Sequence, residues 1–130
     1  MVDFTDVLGV DELADGMMTE VEVGGEGLML AHVGDQFFAS QSRCPHLNGR
    51  LAHGRLEGAI VTCPRHGSQF DLTDGHVVRW TDFTGVVETL AEALRHPRPL
   101  RTYETRVEDG RVQVGPQKPL PVSATTPPTA

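Results

Sequence analysis

Apolar and polar side chains alternate with a period of two along much of this chain. Over residues 18–23, Thr19, Val21 and Val23 fall opposite Met18, Glu20 and Glu22, and Gly24-Gly25 offers a tight turn before residues 28–33. Successive side chains of a strand point to opposite faces, so the pattern predicts a β-hairpin. Gly34-Asp35 turns the chain again into residues 36–41, and further short strands are predicted over 59–63, 69–72 and 77–80. Residues 100–108 alternate once more, and Asp109-Gly110 is a strong turn signal before 111–114.

Two stretches depart from this period. Residues 10–16 read as a short helical turn entered at Asp11 and closed by Gly16. Farther on, Val87, Leu90, Ala91 and Leu94 share one helical face while Glu88, Glu92 and Arg95 share another. Gly85 with Glu88 resembles an N-terminal cap, and Pro97 disfavours helical geometry at His96. A helix is therefore predicted over 86–95, its apolar stripe packed on the sheet. The fold class is all-β, of short antiparallel strands, with one inserted short helix.

A length of 130 residues fits one domain. With 38% apolar and only 5% aromatic residues, its core is modest and rich in Val, Leu and Ala, which leaves room for a metal centre to contribute stability. From residue 115 onward the chain holds five of its nine prolines and one charge, so 115–130 is expected to be a disordered tail. The formal charge of −7 would repel nucleic acid and anionic membranes, and its natural complement is a basic protein partner. Residues 1–9 hold no Lys or Arg and no long apolar run, so they read as neither signal nor transit peptide, and no stretch reaches membrane-spanning length. The expected location is cytoplasmic.

The candidate chemistry lies in two segments, Cys44-Pro45-His46 and Cys63-Pro64-Arg65-His66, with sixteen residues between His46 and Cys63. In a reducing compartment such cysteines are more often ligands than disulfide partners. Two tetrahedral irons bridged by two sulfides leave four positions for protein ligands, and the two segments supply four. Pro45 and Pro64 fix the backbone after each cysteine, while Gly49, Gly54 and Gly67 allow close approach to a buried inorganic centre.

At these residues the chain resembles the Rieske family, whose pattern is Cys-x-His, a spacer of about this length, then Cys-x-x-His. The likeness is detailed over residues 37–72, through Cys-Pro-His-Leu and Cys-Pro-Arg-His-Gly-Ser-Gln-Phe-Asp, and loose over most of 10–114. It implies a Rieske-type antiparallel β-sandwich or barrel over 1–114, with a small cluster-binding subdomain (37–72) and a helical insertion (81–98). It further implies one 2Fe-2S cluster, with Cys44 and Cys63 on one iron and His46 and His66 on the other. Two neutral imidazoles in place of thiolates leave such a cluster near zero charge, and Rieske potentials accordingly run from about −150 to +300 mV against about −400 mV for plant-type ferredoxins.

Ser68, Phe70 and Gly67 stand where they would tune that potential. Members of cytochrome bc complexes carry a hydroxyl residue two positions past the second His, a Tyr four past it, and an extra cysteine pair. Here Ser68 matches the first, Phe70 replaces the second, and the cysteine pair is missing. The resemblance therefore implies a ferredoxin of low to intermediate potential, carrying electrons from a flavin-containing ferredoxin reductase to a terminal oxygenase. His32, His53, His76 and His96 form no two-His-one-carboxylate pattern, so no catalytic residue is assigned. The chain reads as an electron-transfer component rather than an enzyme.

Two other readings stand beside this one: a structural zinc site, since Cys2His2 is a legitimate zinc set, and a cluster-bearing accessory subunit of a larger oxidoreductase. His53 is expected at the surface and Trp80 in the core. The insertion either shapes partner choice beside the cluster or merely covers the sheet.

Overall fold

A computed structural model of the chain describes residues 3–45, 48–65, 67–79 and 98–121. Among them ten strands form two antiparallel sheets. The larger contains β1 (Thr5–Gly9), β2 (Met18–Val23), β3 (Glu26–Val33), β4 (Gln36–Gln41), β9 (Thr102–Glu108) and β10 (Arg111–Gln117), in the order β1-β10-β9-β4-β3-β2. Its edge strands β1 and β2 come back into contact, so the sheet curls into a nearly closed barrel. The smaller, in sequential order, contains β5 (Arg55–Glu57), β6 (Ile60–Thr62), β7 (Gln69–Asp71) and β8 (Val77–Arg79).

Strand β3 joins the two halves of the molecule. Its period-two alternation sends Leu28 and Leu30 into the barrel with Leu8, Phe37, Ala39, Val112 and Val114. Met29 and Ala31 point the other way, into a second cluster with Leu51, Val61, Phe70, Leu72, Leu100 and both cysteines. A strand covered on both faces reads as an unbroken apolar run, which accounts for Leu28-Met29-Leu30-Ala31. The smaller sheet and the cysteine loops thus share one core that is built on the outside of the barrel.

The hairpins follow the sequence closely. β2 and β4 have the predicted bounds, and Gly24 and Gly25 take positive φ of 60° and 85° at the first turn. Several details are corrections. β1 and β5 were not anticipated, because Leu8 is the single buried residue of the first and Leu56 the only partly buried one of the second. Edge strands with so little to bury carry little periodic signal. The turn near residue 10 is a 3-10 turn over Val10–Glu12. The strand starting at Arg111 runs to Gln117, past the predicted end at 114, with Gln117 paired to Tyr103 and the Lys118 amide bonded to the Thr102 carbonyl. Residues 115–118 therefore belong to the sheet rather than to a disordered tail. Residues 122–130, the predicted helix at 86–95, most of the 81–98 insertion, and Trp80 lie outside the described residues.

Candidate metal centre

Cys44 and Cys63 open two loops with one hydrogen-bond plan. In the first, the Cys44 N–H donates to the Gly49 carbonyl (2.8 Å) and the Cys44 carbonyl accepts from the Asn48 N–H (2.8 Å). In the second, the Cys63 N–H donates to the Ser68 carbonyl (2.8 Å) and its carbonyl accepts from the Gly67 N–H (3.2 Å). Each loop is closed by a pair flanking it at the same offsets, an Arg43–Arg50 bridge in one and Thr62–Gln69 in the other. The residue four past each cysteine has a left-handed backbone, Asn48 at φ 63° and Gly67 at φ 77°. Glycine and asparagine are the residues that accept this conformation most readily, so both loops are locally encoded to reverse at that point.

Packing brings the two loops together. Both cysteines are buried at 3% exposure within the cluster that holds Val61, Phe70 and Leu100. A Cβ placed on Gly49 would lie 2.7 Å from the Cys63 Sγ, so the second loop's thiol rests against the first loop's glycine. Ser68 and Phe70 are wholly buried, and Phe70 points inward from the middle of β7. Of the residues singled out in the sequence, Cys44, Cys63, Gly67, Ser68 and Phe70 thus converge on one region. His46 and His66 lie outside the described residues, although Pro45, Arg65 and Gly67 beside them are placed in these same loops.

The surroundings contain groups that no pattern along the chain marks. The Gln41 side chain donates to the Arg43 carbonyl (2.7 Å) and accepts from the Arg101 N–H (2.7 Å), tying the first loop to the start of β9. Arg50 makes a two-pronged contact with Glu20 of β2 (3.0 and 2.6 Å), which pins the end of that loop to the barrel. Hydrogen bonding from Arg50 outweighs partial burial and holds the Glu20 carboxyl below its usual range. Three more arginines bind the loop backbones: Arg43 donates to the Asn48 carbonyl (3.2 Å), Arg79 to the Gly67 carbonyl (3.1 Å), and Arg98 to the Pro45 carbonyl. Interleaved arginines have no fixed spacing, so only the folded chain reveals them as a set. His53 is exposed at the end of the 3-10 turn Leu51–His53, in keeping with a surface histidine.

Two thiol side chains presented by a matched loop pair, both nearly dry and that of Cys63 set against Gly49, suit an inorganic centre gripped from two sides. A donor set of two thiolates plus two imidazoles also suits iron.

Comparison with known proteins points the same way. The Rieske 2Fe-2S domain family matches residues 3–104. The ferredoxin component of biphenyl 2,3-dioxygenase from Rhodococcus jostii is 32% identical over 110 residues, covering 85% of this chain and 90% of that protein. A ferredoxin subunit of 3-phenylpropionate/cinnamic acid dioxygenase from Photorhabdus laumondii is 33% identical over 109 residues, covering 83% and 90%. Among solved structures, one of a complex of reduced oxygenase and oxidised ferredoxin in carbazole 1,9a-dioxygenase superposes with a TM-score of 0.71 at 28% identity, covering 91% of this chain and 97% of that one.

Proposed function

This chain belongs to the Rieske 2Fe-2S domain family, and on that premise we propose that it is the ferredoxin component of an oxygenase system. It carries electrons singly, on one 2Fe-2S cluster, from a reductase to a terminal oxygenase whose active site lies in another chain. Cys44, His46, Cys63 and His66 are the residues that would hold the cluster, the cysteines on one iron and the histidines on the other. When bound, the cluster supplies reversible one-electron chemistry at a potential above that of an all-thiolate centre. The chain's own residues do the rest. Phe70, Leu72 and Leu100 exclude water from the cysteine side, the paired loop amides fix both thiol-bearing residues, and Ser68 and Phe70 set the polarity beside them.

The observation that carries this reading is the identical hydrogen-bond plan of the two cysteine loops, because it makes one centre shared between loops the simplest use of both. Membership of a 2Fe-2S family favours the cluster over a structural zinc site. Among the described residues no helix is long and apolar enough to cross a membrane; a cytoplasmic location belongs to the same proposal.

The experiment is anaerobic purification followed by visible absorption and electron paramagnetic resonance spectra of the parent and of Cys44→Ala, His46→Ala, Cys63→Ala and His66→Ala. The parent should carry two irons per chain in accord with the cluster type, and each variant should lose the mixed-ligand spectrum. Colourless parent protein holding zinc, or a spectrum that survives loss of either histidine, would overturn the ligand assignment.

A further inference from the structure

We infer that the arginines gathered around the two cysteine loops form a docking face for an acidic redox protein, although the chain as a whole is strongly acidic. The inference rests on the cluster site proposed above and concerns which partner surface that site accepts.

Charge is unevenly distributed in this molecule. The chain carries −7 overall, yet from Arg43 to Arg79 five arginines stand against three carboxylates, Glu57, Asp71 and Asp74. Arg43, Arg65 and Arg79 are exposed; the first two lie on the cysteine loops and the third ends β8 beside them. Arg43 and Arg79 donate to loop carbonyls, and the Arg65 stem would touch a Cβ built on Gly49 at 2.9 Å. Arg98 reaches the first loop through Pro45, beside a cavity of about 390 Å³ lined by Gln41, Pro45, Arg98, Pro99, Arg101 and Leu120. Main-chain bonds fix Arg43 and Arg79 without neutralising them. By contrast, Arg50 at the end of the first loop meets Glu20, and Arg106 and Arg111 on the barrel meet Glu108 and Asp6. Exposed acids such as Asp6, Glu22 and Glu104 sit on the barrel strands.

Over a Debye length of about 8 Å at physiological salt, the near charges decide what a partner meets. A guanidinium presents a planar fork of donors that matches a carboxylate. The fitting partner surface is therefore a cluster of Asp and Glu around its own redox group, the reverse of what the net charge suggests. The acidic barrel would then repel that same partner from the wrong end and turn the arginine end toward it.

The test uses cluster-loaded protein, with loading established by its visible spectrum, and two haem proteins as probes: ferric cytochrome b5, which is acidic, and ferric cytochrome c, which is basic. Binding of the oxidised protein is measured by calorimetry, where no electron moves, and transfer of one electron from the reduced protein to each haem by stopped flow. Cytochrome b5 should bind and be reduced faster at low salt, losing roughly tenfold or more in rate as salt rises. Arg43→Glu with Arg65→Glu should remove that advantage, Arg43→Gln with Arg65→Gln should remove part of it, and Arg106→Glu on the barrel should leave it unchanged. A loaded protein whose cytochrome b5 reaction speeds up with salt, or ignores both arginine pairs, overturns the inference. A protein that never takes up the cluster instead overturns the reading on which it rests.

Discussion

Placing a methyl group on Gly49 should separate the two cysteine loops. An alanine Cβ there would lie 2.7 Å from the Cys63 Sγ and 2.9 and 3.0 Å from the Arg65 Cγ and Cδ. Ordinary contacts between such atoms fall at about 3.5–4.0 Å, so roughly 1 Å of movement is required. Arg65 is exposed and can swing away. Cys63 cannot, because it is buried at 3% exposure and its N–H and carbonyl are both engaged by Ser68 and Gly67. The strain falls on the spacing between loops, and overpacking of this kind costs about 1–3 kcal/mol. For a domain of this size, Gly49→Ala should lower the melting temperature by roughly 4–12 °C. Iron content and visible absorbance, measured on the same preparation, should fall with it. Gly27→Ala is the control, since a Cβ there meets only the Ser42 Oγ at 3.7 Å. A Gly49→Ala protein with the parent's iron content and melting temperature would refute the close approach of the loops.

Four further outcomes follow from the same structure. In a redox titration, Ser68→Ala should lower the potential and Phe70→Tyr should raise it; one hydrogen bond of about 1 kcal/mol corresponds to about 40 mV for a one-electron couple, and no change in either would remove the hydrogen-bond argument. Glu20 has a depressed pKa in the folded chain, so its contact with Arg50 contributes fully above the ordinary carboxylate range and is lost as pH falls through the lowered value. Both side chains are partly exposed, which limits the contribution to about 1 kcal/mol or less; urea melts of Glu20→Gln and the parent should differ near neutral pH and converge in acid. Truncation after Val114 removes the Gln117–Tyr103 pairing and the Lys118–Thr102 bond, so thermal melts should show a clear loss of stability, whereas a dispensable tail would show none. Phe70→Ala empties a wholly buried site in the core shared with both cysteines, and denaturant melts should register about 3–5 kcal/mol of destabilisation.

The hairpins and the candidate donor residues are legible in the chain alone. Turn glycines such as Gly24 and Gly25 and the alternation over Met18–Val23 act through local sterics and a two-residue period, which need no distant partner. The two Cys-His segments stand out for a similar reason, since the members of each lie within three residues of one another. Tertiary structure decided what depends on neighbours remote in the chain: that β1 and β5 complete the sheet edges, that the chain is still paired at Gln117, and that β3 serves two cores. It also decided that Gly49 faces Cys63 and that arginines at 43, 65, 79 and 98 gather around two loops. These are matters of packing and of hydrogen bonds made across the fold, and a periodic pattern carries no record of which surface a side chain will finally meet.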